Sequence, residues 1–493
     1  MTLAGVARAD RLVFLHTNDT HSHLDVFDNF HRGQHHPGTG GVAKRATLVK
    51  AIRAEGAPVV LLDAGDVFQG TPFFNFYHGR MDYDAMNRLG YAVGTLGNHD
   101  LDDGYAHFRK LRGLRNFPVI SANVDAPDSA GGSPIQICPS DTILLVGAHK
   151  IGLFGITTER LLEIVSRSRN PGLRVRPAIP AAREEVRRLR SAGVDIVVAM
   201  SHLGFDEDKV LADSVQGIDL VIGGHSHSFL SKLTLVHKEG AANGWGGTGI
   251  VQTGSYGINL GRLDVDFDGA TPTAVAYRLI PVDSAVVEDP EMVAWMQPYK
   301  AGVDSAVSIV VGEAAADFSN SAERKGETTL GNLVAEVLRQ YTGADVGLQN
   351  SGGIRTSLPK GPIRAGDIYS MLPFDNEVVR IELTGAQLLE VFDFIAGKGG
   401  KGGSGQISGA RMVATAAGAE SVTVGGMQID AARIYVLATT DFLASGGNGF
   451  DMLAKGKISP VGNGVFLRDA MITYIRKNGP IKPVMDGSLK YRE

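Results

Sequence analysis

Between Arg11 and about residue 225, short β-rich apolar runs alternate with helical patterns, and most of the runs end in side chains of the kind that bind metals. The runs are RLVFLH, APVVLLD, YAVGTLG, KIGLFGI, VDIVVAM and IDLVIGG. The polar groups beyond them are NDTHSH, AGD, NHD, SHLG and HSH. This alternation predicts a layered α/β domain, in which ligands gather outside the strand ends. A helix such as AAREEVRRLRSAG, closed by Gly193, supplies one of the covering elements.

The pattern changes after residue 282. EDPEMVAWMQPYKAGVDSAV predicts a polar helix and sets a linker over 283–307, between a first domain at 10–282 and a second at 308–493. The second domain opens with a helix after TTLGN, continues through GADVGLQNSGGIR, and carries the strand ARIYVLAT and the loop ASGGNGF. GKGGKGGSG at 397–405 predicts an exposed flexible loop, because its glycines lack the preceding strand and following helix of a phosphate cradle.

Composition excludes several classes. Lys+Arg 48 against Asp+Glu 53 gives a net charge of −5, so no surplus of positive charge exists for a nucleic-acid polymer, and none is expected as a partner. A hydrophobic share of 43% with 20% charged residues excludes a disordered chain. The single Cys138 forms no intrachain disulfide, which leaves stability to packing and metals and leaves the redox compartment open. No run approaches the ~18 apolar residues of a transmembrane helix. Ala7-Arg8-Ala9 ahead of Asp10 fits an export-signal cleavage pattern, although no basic or long apolar segment precedes it. Two readings stay open: the remnant of a trimmed signal, placing the chain in the periplasm or secreted to the surface, or an ordinary amino terminus.

Seven residues carry the chemistry: Asp19 and His21 in NDTH, Asp66 in AGD, Asn98 in GNHD, His202 in SHLG, and His225 and His227 in GHSH. Two divalent cations sharing a site need about six to eight oxygen and nitrogen ligands, including one bridging carboxylate. In extended backbone, residues two apart point to one side, so Asp19 with His21, and His225 with His227, are expected to form two arms. A single Asp or His at a strand end is more often a turn former or helix cap. Five such motifs at one edge favour metals. His23 is read as a non-ligand, and His31, His35 and His36 in HRGQHHPG as a solvated loop.

In this order, NDTHSH, AGD, GNHD, SHLG and GGHSH resemble the signature of the calcineurin-like metallophosphoesterases. With NSGGIR, LPFDN and GGNGF, the chain from about residue 10 to 490 resembles the two-domain 5′-nucleotidase family of bacterial UDP-sugar hydrolases and animal ecto-5′-nucleotidases. The resemblance implies a four-layer α-β-β-α sandwich, a linker helix and a smaller α+β carboxy-terminal domain. It implies two divalent cations, zinc, manganese or similar, with Asp66 bridging them; Asp19, His21 and His227 complete one site, and Asn98, His202 and His225 the other. Mixed nitrogen and oxygen donors without thiolate leave the metal open among zinc, manganese, iron, cobalt and magnesium.

The same resemblance makes His99 and Asp102 of GNHDLDD the catalytic pair, with the imidazole adjoining Asn98 and the carboxylate orienting it. The alternative is that His99 only supports the ligands. In the second domain it implies phosphate or nucleoside contacts from Arg324, Asn350 and Arg355, a nucleobase sandwich from Phe374 and Phe442, and polar contacts from Asn376 and Asn448. Without it, each Phe reads as core and each Arg as a solvated charge. Asp375 stands where relatives usually place Gly, and Asn448 where they have Asp.

The expected activity is dimetal-dependent hydrolysis of small-molecule nucleotide phosphoesters: 5′-mononucleotides first, with nucleotide sugars and 2′,3′-cyclic nucleotides beside them. Alternatives are a thiosulfate-ester hydrolase of similar fold and a non-catalytic nucleotide-binding surface protein. The placement of motifs in two domains makes the linker a candidate hinge. Oligomeric state is not fixed by the sequence.

Overall fold

The computed structural model describes residues 10–31, 34–127, 135–320, 326–398, 404–415, 417–461 and 464–492. They separate into two compact units. The first comprises Met1–Gln69, Phe76–Leu162 and Gly172–Pro298; the second comprises Gly70–Asn75, Glu163–Pro171 and Tyr299–Glu493. The helix Pro290–Val307 ends one unit and begins the other.

Two six-stranded sheets build the first unit. One runs in spatial order Thr271–Pro281, Asn259–Asp268, Asp10–Thr17, Val59–Asp63, Val93–Thr95 and Val119–Ile120. The other runs Thr234–His237, Gly247–Val251, Leu220–Gly223, Ile196–His202, His149–Thr157 and Asp141–Val146. Strand alternation sorts their side chains. Ile196, Val198 and Met200 join Leu12, Phe14, Val60, Leu62, Leu220 and Ile222 in the core between the sheets. Val197 and Ala199 turn the other way, onto Ala181, Ala182, Val186 and Leu189 of the helix Ala178–Ser191 and Leu211 of the helix Phe205–Ser214. Because both faces of these strands are buried, they read as continuous apolar runs. On the first sheet's outer side, Val42 from the helix Val42–Arg53 and Met86 and Leu89 from Arg80–Leu89 share a small chamber with Asp63. The result is the four-layer sandwich.

The parallel neighbours Asp10–Thr17, Val59–Asp63 and Val93–Thr95, and likewise Ile196–His202 and Leu220–Gly223, all end toward the polar motifs. One reading fails here: HRGQHHPG is not a simple loop. The backbone of Val26–His31 pairs antiparallel with Gln34–Gly40, a hairpin that the Gly and Pro content concealed, while residues 32 and 33 lie outside the described residues.

The second unit is α+β. Its five-stranded sheet runs Gly405–Ser408, Val346–Asn350, Ile434–Thr440, Val378–Thr384 and Lys457–Pro460. Val334 and Leu338 of the helix Thr329–Thr342 pack on one core with Ile368 and Ile475, while Leu388, Val391 and Phe392 of Gly385–Gly397 pack on another with Leu348 and Ile381. The Oγ1 of Thr328 caps the first of these helices by accepting from Gly331 N at 2.9 Å, and Thr384 with Gln387 forms a capping box at the second. Of the glycine-rich run at 397–405, residues 399–403 lie outside the described residues. Gly405, read as exposed loop, is instead buried at the start of a strand. Among the described residues no helix is long and apolar enough to cross a membrane.

His16 shows how tightly the first core is closed. Its ring is fully buried and stacks on Tyr277 at 5.8 Å, neither nitrogen has a hydrogen-bond partner among the described residues, and burial pushes its pKa down to about 3. Below the unfolded value of about 6.5 the unfolded chain takes up a proton that the folded chain refuses, so stability is whole above that pH and falls as pH drops toward 3. His16→Met, which fills similar volume without a titratable group, is expected to flatten the decline of the thermal midpoint on acidification from pH 6.5, measured by scanning calorimetry against the parent chain in the same buffers.

Candidate metal centre

Each candidate ligand follows a strand of the first unit. Asp10–Thr17 leads into Asp19 and His21, Val59–Asp63 into Asp66, Val93–Thr95 into Asn98, and Leu220–Gly223 into His225 and His227; His202 ends its own strand. Strand alternation is not what aims them. Five of the seven have left-handed backbone: Asp19 (φ 50°), His21 (48°), Asp66 (54°), His225 (73°) and His227 (52°). The expectation of extended arms is corrected on this point. Such backbone costs a non-glycine residue about 1–2 kcal/mol, so neighbours must hold it. They do so amide by amide: Asp19 N donates to Gly65 O at 2.9 Å, His21 N to Asp66 O at 3.1 Å and Ser22 N to Val67 O at 2.8 Å. His225 N donates to Asp19 Oδ2 at 3.0 Å.

The turns bring six side chains into two groups. Ligand atoms of Asp19, His21 and His227 lie within 4.8 Å of one another, and so do those of Asp66, His202 and His225. His227 Nε2 stands 3.4 Å from Asp19 Oδ1 and 3.1 Å from His21 Nε2. Asp66 Oδ2 is 3.1 Å from His202 Nε2 and 3.9 Å from His21 Nε2, so this one carboxylate reaches toward both groups. His21 Nδ1 lies 2.9 Å from Gln69 O and His202 Nδ1 2.6 Å from Ala64 O. Donation to those carbonyls fixes the tautomer and leaves each Nε2 as the ligand atom.

The electrostatics call for cations. Asp19 and Asp66 are fully buried; burial alone would raise their pKa values, but the imidazoles outweigh it and both are lowered. His202, opposed by burial, is held up to about 10 by Asp66 and then Asp19, a proton standing where positive charge is needed. Asn98 Oδ1 is buried without a hydrogen-bond partner among the described residues. An orphaned acceptor at Asn98, beside two buried carboxylates and their imidazoles, fits divalent cations bound by nitrogen and oxygen.

His99 and Asp102 are also brought together. His99 Nδ1 is 2.8 Å from Asp102 Oδ2, and the imidazole lies edge-on to His21 with centroids 5.2 Å apart. Burial raises the Asp102 pKa, with His99 opposing. His99 N donates to Asp66 Oδ1 at 2.7 Å, which couples the GNHD turn to the AGD turn. Gly97 permits that approach: a Cβ there would stand 2.1 Å from Asp66 N.

Two supports were missed in the sequence. Asp100 accepts from Val67 N (3.1 Å) and Phe68 N (3.3 Å) through one oxygen and from Gly97 N (2.8 Å) through the other, clamping the turns that carry Asp66 and Asn98. Asn18 donates to Asp19 Oδ2 and to Gly254 O, both at 2.6 Å, and accepts from Thr253 N at 2.8 Å. Both stand inside the motifs, Asn18 next to Asp19 and Asp100 two residues past Asn98. The available signal was a short polar side chain where a turn leaves amides unpaired. His23 turns away, its Nδ1 2.8 Å from His21 O and its ring 4.3 Å from Tyr256.

In the second unit, Asn350 Nδ2 donates to Asn448 Oδ1 at 2.8 Å, and Asn448 has left-handed backbone (φ 54°). Arg355 is exposed, with Nη1 3.4 Å from Gly352 O. Phe374, Asn376 and Phe442 are half-buried, and Phe442 leans on the core around Phe392. Asn376 O accepts from Leu467 N at 3.0 Å. Arg324 lies outside the described residues.

Residues 12–229 match the family model described as calcineurin-like phosphoesterase, and residues 310–455 the one described as 5′-nucleotidase, C-terminal domain. The trifunctional nucleotide phosphoesterase protein YfkN of Bacillus subtilis (strain 168) is 29% identical over 90% of this chain, which spans 32% of that protein's length. The 5′-nucleotidase of Diplobatis ommata is 28% identical over 99% of this chain and 91% of its own. A crystal structure of a 5′-nucleotidase precursor from Thermus thermophilus superposes with a TM-score of 0.86 at 30% identity, covering 98% of this chain and 99% of that one.

Replacing the clamp tests how the site is held. Asp100→Asn is expected to weaken divalent-metal affinity by about 10–100-fold, as removal of outer hydrogen-bond partners does elsewhere, with the far-ultraviolet circular dichroism unchanged; competition against a metallochromic chelator measures it.

Proposed function

This chain belongs to the two-domain 5′-nucleotidase family, and we propose that it releases phosphate from nucleoside 5′-monophosphates by metal-assisted hydrolysis. The observation that carries the reading is the pair of ligand groups, Asp19–His21–His227 and Asp66–His202–His225, set beside the His99–Asp102 pair. Asn98 would complete the second group through its orphaned Oδ1. Cations bound there supply Lewis-acid activation of water and of the phosphoryl group. Mixed donors without thiolate admit zinc, manganese, iron, cobalt or magnesium.

The chain's own residues do the rest. Asp66 and Asp19 set the charge of the site, and Asp66, reaching toward both groups, fixes their spacing. His99 presents its Nε2 edge to the phosphoryl oxygens, where it stabilises growing negative charge or protonates the leaving oxygen. Asp102 holds the His99 tautomer through Nδ1. A merely capturing protein needs neither His99 nor Asp102, which disfavours a non-catalytic reading.

Nucleoside recognition is assigned on this reading to the second unit: Phe374 and Phe442 to the base, and Asn350, Asn376, Arg355 and Asn448 to polar contacts, with Arg324, outside the described residues, a further candidate. Asn448 presents an amide, already engaged by Asn350, where a carboxylate would grip a diol more strongly. Nucleotide sugars and 2′,3′-cyclic nucleotides are secondary substrates on this reading. A location in the periplasm or secreted to the surface goes with this reading, one relative being a snake venom 5′-nucleotidase of Gloydius brevicauda.

Metal-reconstituted protein should release phosphate from AMP and UMP faster than it hydrolyses UDP-glucose, 2′,3′-cyclic AMP or bis-p-nitrophenyl phosphate. No turnover of any of the five after reconstitution with zinc or manganese would refute the assignment. His99→Ala is expected to retain the parent's metal content, by emission spectrometry, while kcat for AMP falls ~100-fold or more.

A further inference from the structure

The segment Pro373–Glu377 of the second unit carries Phe374 and Asn376 and is tied down along its length. Leu467 N donates to Asn376 O at 3.0 Å, and Val378 N to Val465 O at 2.8 Å. Glu377 N donates to Asp441 Oδ1 at 3.0 Å while Asp441 N returns to Glu377 O at 2.9 Å. Asp441 immediately precedes Phe442, so this exchange joins the segments that bear the two aromatic rings.

Asp375 adds a tie of another kind. Its Oδ1 accepts from Arg468 Nη1 and, at 3.0 Å, from Asn75 Nδ2 of the segment Gly70–Asn75. The same Arg468 Nη1 lies 3.5 Å from Phe374 O. Arg468 is only 6% exposed. Its guanidinium carbon sits 4.9 Å from the Tyr369 ring centroid and 4.8 Å from that of Phe466, and its Nε has no hydrogen-bond partner among the described residues. A planar cation held over two rings has one rotamer to offer, and a buried charge tolerates the loss of its counter-ion badly.

We infer that Asp375 and Arg468 form a positioning pair that fixes Phe374 against Phe442 and thereby sets affinity for the nucleobase without touching the reacting atoms. The Asp375 carboxylate is the element the buried arginine requires. With the pair intact, the Phe374 carbonyl is anchored between Arg468 and the backbone ladder to Leu467, and the ring is presented in one orientation. With it broken, Arg468 must find another acceptor and draws the Phe374 carbonyl with it. Preorganisation of this sort acts on binding rather than on chemistry.

The inference rests on the nucleotidase reading, and the experiment separates the two. Steady-state kinetics on AMP and on ribose 5-phosphate, which has the same phosphomonoester but no base, are compared for the parent, Asp375→Asn, Arg468→Lys and the double variant Asp375→Asn/Arg468→Met, with thermal midpoints recorded for each. The expected result is a KM for AMP raised about tenfold in Asp375→Asn with kcat within about twofold, and kcat/KM for ribose 5-phosphate within about twofold. Arg468→Lys, which keeps the charge but loses the fork, falls between, and the double variant is no worse than the single one. Parallel losses on both substrates, or an unaltered KM for AMP, overturn the positioning role. If Arg468 variants do not fold, Asp375→Asn decides by the same criteria. A parent chain that hydrolyses ribose 5-phosphate as well as AMP refutes base recognition itself and removes the inference with it.

Discussion

Two carboxylates, Asp19 and Asp66, are buried among imidazoles at the carboxyl ends of two sheets, and the rest of the first unit is arranged to tolerate that concentration of charge. In a low-dielectric interior such groups must be compensated by proton or cation. His202, raised to about 10 by its neighbours, is the compensation made with a proton; the orphaned acceptor at Asn98 marks where a larger charge fits better. Everything around the pair is stiff. Backbone amides run from one turn to the next, Asp100 clamps two of those turns, and glycine at 97 lets them touch.

Much of this was legible in the chain. The apolar runs located the strands because both of their faces are buried, and the polar groups beyond them named the candidate ligands. What the sequence concealed was conformation. Asp19 and His21 looked like same-side neighbours in an extended stretch, yet their left-handed turns converge by a different route. Periodicity cannot report φ. The hairpin at Val26–His31 and Gln34–Gly40 was hidden for a related reason, since Gly and Pro read as loop punctuation even where the backbone pairs.

In the second unit, residue types foretold less. A half-buried Phe has the same letter as a core Phe, and only the likeness to a family singled out Phe374 and Phe442. The structure adds the scaffold behind them: a backbone exchange at Glu377 and Asp441, a buried Arg468, and an amide pair at Asn350 and Asn448. These contacts join residues 64 to 98 positions apart in the chain, which is why no local pattern announced them.

The left-handed turns at five of the candidate ligands have one more consequence. At those positions the main chain would be most relaxed with glycine or asparagine, whereas the chemistry asks for histidine or aspartate. Backbone preference and function pull in opposite directions there. A saturation library would therefore be expected to show narrow peaks at these five sites, where glycine restores a soluble but inert chain, rather than the graded tolerance typical of surface loops.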